Sequence, residues 1–201
     1  WSAKPPAVRK KILQRFAERI LAAKEELALL ETLDMGKPIR FSLAVDVPST
    51  ARTIAWYAEA IDKVYDEIAP TGPNALALIT REAMGVIGVI VPWNYPMMMA
   101  VWKWAPAIAA GNAVVVKPSD TTPVSTVRMA EIIAESGALP PGVLNVVCGD
   151  RDTGRALVEH PTPQMVSITG SVRAGMQVAE TAARDVKRVH LELGGKAPVV
   201  I

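Results

Sequence analysis

Cysteine and histidine are scarce in this chain of 201 residues, which contains one cysteine and two histidines. The single cysteine, Cys148, excludes an internal disulfide, and this suits a reducing compartment. No metal site is predicted.

Charge of one sign and long apolar runs are lacking as well. The 22 basic residues nearly balance the 20 acidic ones, which argues against nucleic acid or an anionic membrane as the main partner. Apolar runs such as VIGVIV are far shorter than a membrane span. The basic start WSAKPPAVRKK is not followed by the apolar segment of a signal peptide. We therefore expect a soluble cytoplasmic protein.

Half of the chain is apolar, which is enough for one full core. Near the start, Ile12, Phe16 and Ile20 recur every four residues and predict an amphipathic helix that ends at Gly36. A second helix is predicted after Pro48. We expect a helical N-terminal part over residues 1–68. A linker over 69–84 would carry a short strand, ALALITREA, that serves as an oligomerisation arm.

From residue 85 to residue 201 the pattern changes to apolar runs separated by helix-length segments. The runs lack clean alternation, which is typical of strands buried on both faces: Val86–Val91, Ala113–Val116, Val143–Val147, Met165–Ile168 and Val189–Leu193. This alternation predicts an α/β fold, a doubly wound, Rossmann-like parallel sheet of five strands with helices on both faces. Such sheets bind ligands beyond the carboxyl ends of their strands.

Polar residues follow the first two predicted strands. In PWNYP, two prolines stiffen a turn around Asn94, whose amide would donate to a developing oxyanion; the alternative is an ordinary turn asparagine. In KPSD, Lys117 and Asp120 would hold the hydroxyls of a nucleotide ribose. Alternatively, Ser119 or Asp120 caps the next helix.

Glycines follow the next two strands. In CGDRDTG, Gly149 permits a tight turn and close approach to a ligand, while Cys148 would be an inert residue ending a buried strand. In TGSVRAG, Gly170 and Gly175 bracket the start of a helix whose free N–H groups favour a phosphate, and Ser171 adds a donor. The alternative is a helix that Ser171 simply caps.

The fifth strand ends in ELGGK. Glu192 beside two glycines is a candidate general base, and a partly apolar site would raise its pKa. The alternative is a glutamate on an edge strand, paired with Lys196 or Lys187.

The chain resembles the NAD(P)-dependent aldehyde dehydrogenase superfamily over essentially its whole length. Five motifs occur in the order and spacing of that superfamily: PWNYP, GNAVVVKPSD, PPGVLNVV, ITGSVRAG and LELGGK. The resemblance implies that Asn94 donates to the oxyanion and that Glu192 activates the hydrolytic water. It also implies a cofactor site. At the adenosine end, Lys117, Ser119 and Asp120 contact the ribose, and Gly149 lies beside the adenine. The pyrophosphate is bound by Gly170, Ser171 and Gly175, and the nicotinamide is bordered by Val91, Pro92, Trp93, Leu193 and Gly194. Where this chain has Asp120 the family more often has glutamate, so NAD is expected and NADP stays open.

A narrower resemblance concerns PWNYPMMMAVWKWAPAIAAGN, VSITGS and ELGGKAPVVI, which are similar to aminoaldehyde dehydrogenases of the γ-aminobutyraldehyde and betaine aldehyde kind. Tyr95 and Trp102 match aromatic positions that line the substrate tunnel there. Alternatively, Trp102 packs in the core with Trp104. The implied partners are a small aldehyde and further copies of the chain, in a dimer or tetramer.

The implied reaction oxidises an aldehyde to the acid through a cysteine thioester, with hydride transfer to NAD(P)⁺. The family's nucleophilic cysteine lies further along the chain than Ile201, and Cys148 does not match it. We therefore expect the cofactor-binding part of a longer enzyme, without the domain that carries the catalytic cysteine. The alternative is a non-catalytic nucleotide-binding or scaffold protein derived from the same fold.

Overall fold

A computed structural model describes residues 1–195 and 197–200 of the chain. Its main sheet has five strands: β3 (Val86–Ile90), β4 (Ala113–Lys117), β5 (Leu144–Val146), β6 (Pro163–Gly170) and β7 (Arg188–Leu193). The helices between them are α5 (Pro96–Ala109), α6 (Val124–Glu135), α7 (Arg151–Glu159) and α8 (Val172–Ala183).

All neighbouring strands of this sheet run parallel, in the order β5-β4-β3-β6-β7. Helices α5 and α6 pack on one face, and α7 and α8 pack on the other. The doubly wound α/β fold predicted from the apolar runs is therefore confirmed. Because the strands are parallel, their carboxyl ends meet at one edge, which gathers the polar residues that follow each strand.

The predicted first helix is two helices, α1 (Pro6–Ala22) and α2 (Lys24–Met35), which break at Ala23. The apolar spacing continues across the break because both helices bury residues in the same core, among them Phe16 and Leu27. Gly36 ends α2 as predicted, in a left-handed conformation with φ 78° that glycine adopts without strain.

A short helix α3 (Ile39–Phe41) leads into a π-helical turn, Ser42–Asp46, and then into α4 (Val47–Ala60). The second predicted helix is thus present. Pro48 lies in the first turn of α4, where its missing N–H leaves no hydrogen bond unmade. Helix α4 packs against α1 and α5, which connects the N-terminal helices to the sheet domain.

The strand expected near ALALITREA is β2 (Ala77–Ile79), and it pairs antiparallel with β1 (Glu67–Ala69). Strand β1 was not predicted. The apolar side chains of Ile68 and Leu78 on this hairpin are exposed. Within the described residues, no helix is both long enough and apolar enough to cross a membrane.

Candidate active site

Glu192 lies near the end of β7 and is bound by two side chains from other elements. Thr169, its register partner on β6, donates from Oγ1 to Glu192 Oε2 over 2.7 Å. Lys103 on α5 donates from Nζ to the same oxygen over 3.2 Å. Neither alternative pairing is observed in the described part of the chain: Lys187 donates to the carbonyls of Val158 and His160, and Lys196 lies outside the described residues.

The electrostatics of this site correct one expectation. The hydrogen bond from Thr169, and then the charge of Lys103, lower the pKa of Glu192 and outweigh the opposing effect of burial. The sequence predicted a raised pKa from apolar neighbours. It was wrong because β7 is an edge strand, which leaves 42% of the Glu192 side chain exposed. At neutral pH Glu192 is therefore a carboxylate, the form that accepts a proton.

Lys103 is a residue that the sequence reasoning missed. Its side chain is 2% exposed, and burial lowers its pKa while the neighbouring Glu192 opposes that shift. A signal was available, because Lys103 is the one charged residue in the apolar helix PMMMAVWKWAPAIA. A buried cation requires a partner, and the partner here is 89 residues away in sequence.

The turn between β3 and α5 presents Asn94 at the carboxyl edge of the sheet. Val91 is buried, and its N–H donates to the Lys117 carbonyl over 3.2 Å, so the start of the turn is fixed to β4. Pro92 is half-buried, whereas Trp93 and Asn94 are exposed. The exposed amide of Asn94 is free to donate to a ligand oxygen at this edge.

The two aromatic residues predicted to contact substrate have different surroundings. Trp102 is 46% exposed, whereas Trp104 is fully buried, so core packing explains Trp104 and not Trp102. Tyr95 is also partly exposed, and the ammonium of Lys37 lies 3.9 Å from the centre of its ring. One face of Tyr95 is thereby covered by a cation.

A cleft of about 730 Å³ opens beside Glu192; we call it the Glu192 cleft. Trp102 and Lys103 line it from α5, and Trp56 and Tyr57 line it from α4. Of the two predicted substrate aromatics, Trp102 borders this cleft, and Tyr95 is not among the described residues that line it. The cleft therefore joins an aromatic surface to the carboxylate of Glu192.

A second cleft of about 300 Å³ lies between α7 and α8; we call it the α7–α8 cleft. Lys117 lines it from the end of β4, and Gly154 and Arg155 line it from α7. The side chain of Lys117 is largely buried, and no ion pair or hydrogen bond of its ammonium is found in the described residues. A cation held in this way is suited to the hydroxyl or phosphate oxygens of a nucleotide.

Ser119 and Asp120 follow β4, but neither caps α6. Ser119 and Thr121 hydrogen-bond to one another over 2.9 Å, and Asp120 is exposed. The N–H of Val124 at the start of α6 instead donates to the Asp34 carboxylate over 2.8 Å. The helix-cap alternative was therefore wrong, because a residue from α2 satisfies that N–H. Ser119 and Asp120 remain available to a ligand.

Gly149 has φ 149°, and a Cβ there would lie 2.1 Å from Thr153 Oγ1. The turn therefore requires glycine, and the residue that lies close to Gly149 is Thr153 of the same chain. Asp150 caps α7 by accepting from the N–H of Asp152 over 2.9 Å. Cys148 is exposed, so the prediction that it ends a buried strand was wrong. Strand β5 ends at Val146 on the edge of the sheet, so the cysteine follows the strand and is not buried in it.

The β6–α8 turn combines a helix cap with a tight helix–strand contact. Ser171 caps α8 by accepting from the N–H of Ala174 over 3.2 Å, as one alternative predicted. A Cβ on Gly175 would lie 2.4 Å from Leu193 Cδ2. Gly175 therefore allows α8 to approach β7 closely. Gly170 is the last residue of β6, just before the cap, and Gly194 directly follows β7, so both lie at the carboxyl ends of their strands.

Comparison with known proteins identifies the family. The sequence pattern of the aldehyde dehydrogenase family matches residues 1–201. The chain belongs to the aldehyde dehydrogenase family. The NADP/NAD-dependent aldehyde dehydrogenase PuuC of Escherichia coli K12 is 51% identical over 100% of this chain and 41% of its own length. Aminoacetaldehyde dehydrogenase of Pseudomonas aeruginosa is 47% identical over 100% of this chain and 41% of its own length.

Solved aldehyde dehydrogenases have the same fold. The Pseudomonas syringae indole-3-acetaldehyde dehydrogenase AldA, in complex with NAD⁺ and IAA, is similar with a TM-score of 0.96 and 50% identity, over 98% of this chain and 40% of that one. The chain thus spans about two fifths of the length of the aldehyde dehydrogenases it matches.

The residues of this aldehyde dehydrogenase chain fit a dinucleotide. The α7–α8 cleft has the size of a small ligand pocket and is lined by Lys117, whose ammonium has no ion pair with another described residue. The capped N-terminus of α8 follows the carboxyl end of β6. The Glu192 cleft extends from Glu192 along the face of the sheet to Met84 and Asn112, which precede β3 and β4.

Proposed function

We propose that this chain forms the cofactor-binding part of an aldehyde dehydrogenase that oxidises an aldehyde to the acid with NAD⁺. The observation that carries the proposal is the Glu192 carboxylate, held between Thr169 and Lys103 at the mouth of a cleft. A carboxylate that is ionised, oriented and partly exposed can take a proton from water.

In this proposal the chain's own groups divide the work. NAD⁺, when bound, accepts a hydride from the substrate. Lys117 and Asp120 hold the ribose, and the N–H groups at the start of α8 receive the pyrophosphate. Asn94 donates a hydrogen bond to the oxyanion that forms from the aldehyde oxygen. Glu192 removes a proton from the water that hydrolyses the thioester.

Cys148 does not serve as the nucleophile in this scheme. It follows β5, while Glu192 is on β7, at the opposite edge of the five-stranded sheet. A nucleophile must lie beside the oxyanion donor and the base. The cysteine that the family resemblance implies has no match within residues 1–201.

A burst experiment on the protein expressed from its complete gene tests the proposal. With Glu192→Gln, the amide keeps the shape of the site but cannot accept a proton. We expect about one NADH per active site, followed by a steady state about 10²–10⁴ times slower than wild type. A normal burst with a normal steady state would show that Glu192 is structural. Wild-type protein that forms no NADH from any aldehyde would instead favour a nucleotide-binding scaffold.

For the coenzyme we propose a preference for NAD over NADP. Asp120 would accept from ribose hydroxyls but would repel a 2′-phosphate. Two unit charges about 4 Å apart interact by about 4 kcal/mol at an effective dielectric constant of 20, and Lys117 offsets part of this. Calorimetry with both coenzymes tests the preference, with Asp120→Asn as the matched variant. Equal affinities in the wild type would contradict it.

For the substrate we propose an ω-aminoaldehyde. The exposed ring of Trp102 borders the Glu192 cleft, and a cationic amine over such a ring gains about 0.5–2 kcal/mol. The relatives named aminoacetaldehyde dehydrogenase and betaine aldehyde dehydrogenase support this class. The test compares kcat/KM for 4-aminobutyraldehyde and pentanal in wild type, Trp102→Phe and Trp102→Ala. A preference that survives the alanine substitution would count against Trp102.

We further propose a cytoplasmic homo-oligomer, a dimer or tetramer, in which the β1–β2 hairpin is the arm. Its exposed apolar residues Ile68 and Leu78 support this assignment. Light scattering of Ile68→Ser and Leu78→Ser variants tests it, and an unchanged mass would contradict it.

A further inference from the structure

Ser167 and His190 form a hydrogen-bonded pair inside the Glu192 cleft. The serine Oγ lies 2.8 Å from the histidine Nδ1, and the two residues are register partners on β6 and β7. Ser167 is 4% exposed, whereas His190 is exposed. The imidazole is thus fixed through Nδ1 by a buried partner, which leaves Nε2 as the nitrogen that can exchange a proton with solvent.

His190 and Glu192 lie on the same face of β7. Alternate residues of a strand share a face, and two residues span about 6.6 Å along it. Because the side chains of a strand stand roughly perpendicular to it, this separation is too long for a direct hydrogen bond between His190 and Glu192. One water molecule can bridge them. Both residues line the Glu192 cleft.

We propose that His190 receives the proton that Glu192 takes from the hydrolytic water and releases it to solvent through the Glu192 cleft. This inference rests on the proposed function. In the first step, water loses a proton to the Glu192 carboxylate as its oxygen bonds to the thioester carbon and the C=O electrons move to the carbonyl oxygen; the oxyanion then re-forms the carbonyl, the C–S bond breaks, and the cysteine leaves as a thiolate. In the second step, the neutral carboxyl passes that proton through a bridging water to neutral His190. The imidazolium then loses it to bulk water, and both groups return to their starting states.

The neighbours of His190 favour it over other acceptors. Lys103 already donates to Glu192 as an ammonium, which has no lone pair to receive a proton. The other ionisable groups near this face are Arg188 on β7 and Tyr57 on α4, and β6 contributes the uncharged Ser167 and Thr169. Helix α8 packs against the opposite face, through Gly175 and Leu193. Histidine is the side chain that changes charge near neutral pH.

The test uses His190→Asn in the protein expressed from its complete gene. Asparagine keeps a polar atom near the position of Nδ1, so the bond to Ser167 can persist, but it cannot carry a proton. We expect a normal NADH burst and a steady-state rate lowered by about tenfold or more. The rate should lose the part of its pH dependence that comes from the imidazole, and added imidazole should restore the rate. The matched control is His160→Asn at the end of α7, the chain's other histidine, which should behave as wild type.

The outcomes separate the relay from the proposed function. Wild-type protein without a burst would defeat the proposed function and the relay with it. A wild-type burst combined with a normal steady state in His190→Asn would overturn the relay alone. A slowed variant that imidazole does not rescue, with an unchanged pH profile, would also overturn it, since His190 would then be structural. Ser167→Ala, which frees the ring, provides a second variant and should slow the steady state less than His190→Asn.

Discussion

Replacing Lys103 by methionine tests how the charge beside Glu192 sets the protonation of the base. Methionine has nearly the same length as lysine and can fill the buried space that the Lys103 side chain occupies, so the change removes the charge but little volume. The ammonium lies 3.2 Å from Glu192 Oε2. At that distance the attraction is about 1 kcal/mol in bulk water and about 5 kcal/mol at an effective dielectric constant of 20.

The exposure of Glu192 decides which of these values applies. With 42% of its side chain in contact with solvent, screening brings the interaction to the low end of this range, about 1–2 kcal/mol. One pKa unit corresponds to about 1.4 kcal/mol. Lys103→Met should therefore raise the pKa of Glu192, since the charged carboxylate loses its cation while the hydrogen bond from Thr169 remains.

The assay is the pH dependence of the steady-state rate after the NADH burst. A raised pKa means that Glu192 is protonated at higher pH, so the acid limb of the profile should move to higher pH. The melting temperature should not fall, because a buried ammonium is replaced by an apolar group and Glu192 can still be hydrated. The exposed lysine Lys63, changed to methionine, is the matched control. An acid limb that does not move in Lys103→Met would refute the electrostatic role.

Three further predictions concern stability. Gly175→Ala places a Cβ 2.4 Å from Leu193 Cδ2, and such overpacking should cost about 1–3 kcal/mol in thermal or urea unfolding. Asp34→Ala removes the acceptor for the Val124 N–H and should cost about 0.5–2 kcal/mol in the same measurement. Glu31 is fully buried, which raises its pKa to about 8. Between about pH 4.5 and 8 the folded state therefore keeps the Glu31 proton, whereas the unfolded state releases it. The free energy of unfolding of the wild type should fall with rising pH across that window. Glu31→Gln should remove the contribution of Glu31 to this pH dependence.

Matched variants distinguish these causes from general damage. A Cβ on Gly194 would meet no atom of the described residues within 4 Å, so Gly194→Ala should leave the unfolding free energy unchanged. Asp34→Asn keeps the acceptor and should retain most of the stability. Equal pH slopes for wild type and Glu31→Gln would contradict the assignment of that proton to Glu31.

The sheet was predictable because strands buried on both faces give apolar runs, and these mark β3, β4 and β6 directly. The edge strands were harder to interpret. Strand β5 is only Leu144–Val146, so Cys148 was placed in a buried strand when it lies in the exposed loop that follows. The break at Ala23 was hidden because the apolar period continues through it.

The candidate site was predictable where function follows a strand end in sequence, as it does for Asn94, Lys117 and Glu192. It was not predictable where partners are distant along the chain. Lys103 and Glu192 are 89 residues apart, and Asp34 and Val124 are 90 residues apart. Local sequence gives no reason to pair them, and only the packing of α5 on the sheet and of α2 on α6 brings them together.

The π-helical turn Ser42–Asp46 determines how the helix that leads into α4 would respond to the loss of a residue. Within it the N–H of Val47 bonds to the carbonyl of Ser42, five residues back, so the turn holds one residue more than an α-helix would. Each residue of an α-helix advances the chain by about 100°. Losing one residue here would remove the extra residue and restore α-helical hydrogen bonding, so the preceding segment would stay in phase with α4 and Lys37 would stay beside the buried carboxylate of Asp46, to which it is bound. A deletion in the exposed turn at 70–75 would shorten a surface loop and leave that pair in place.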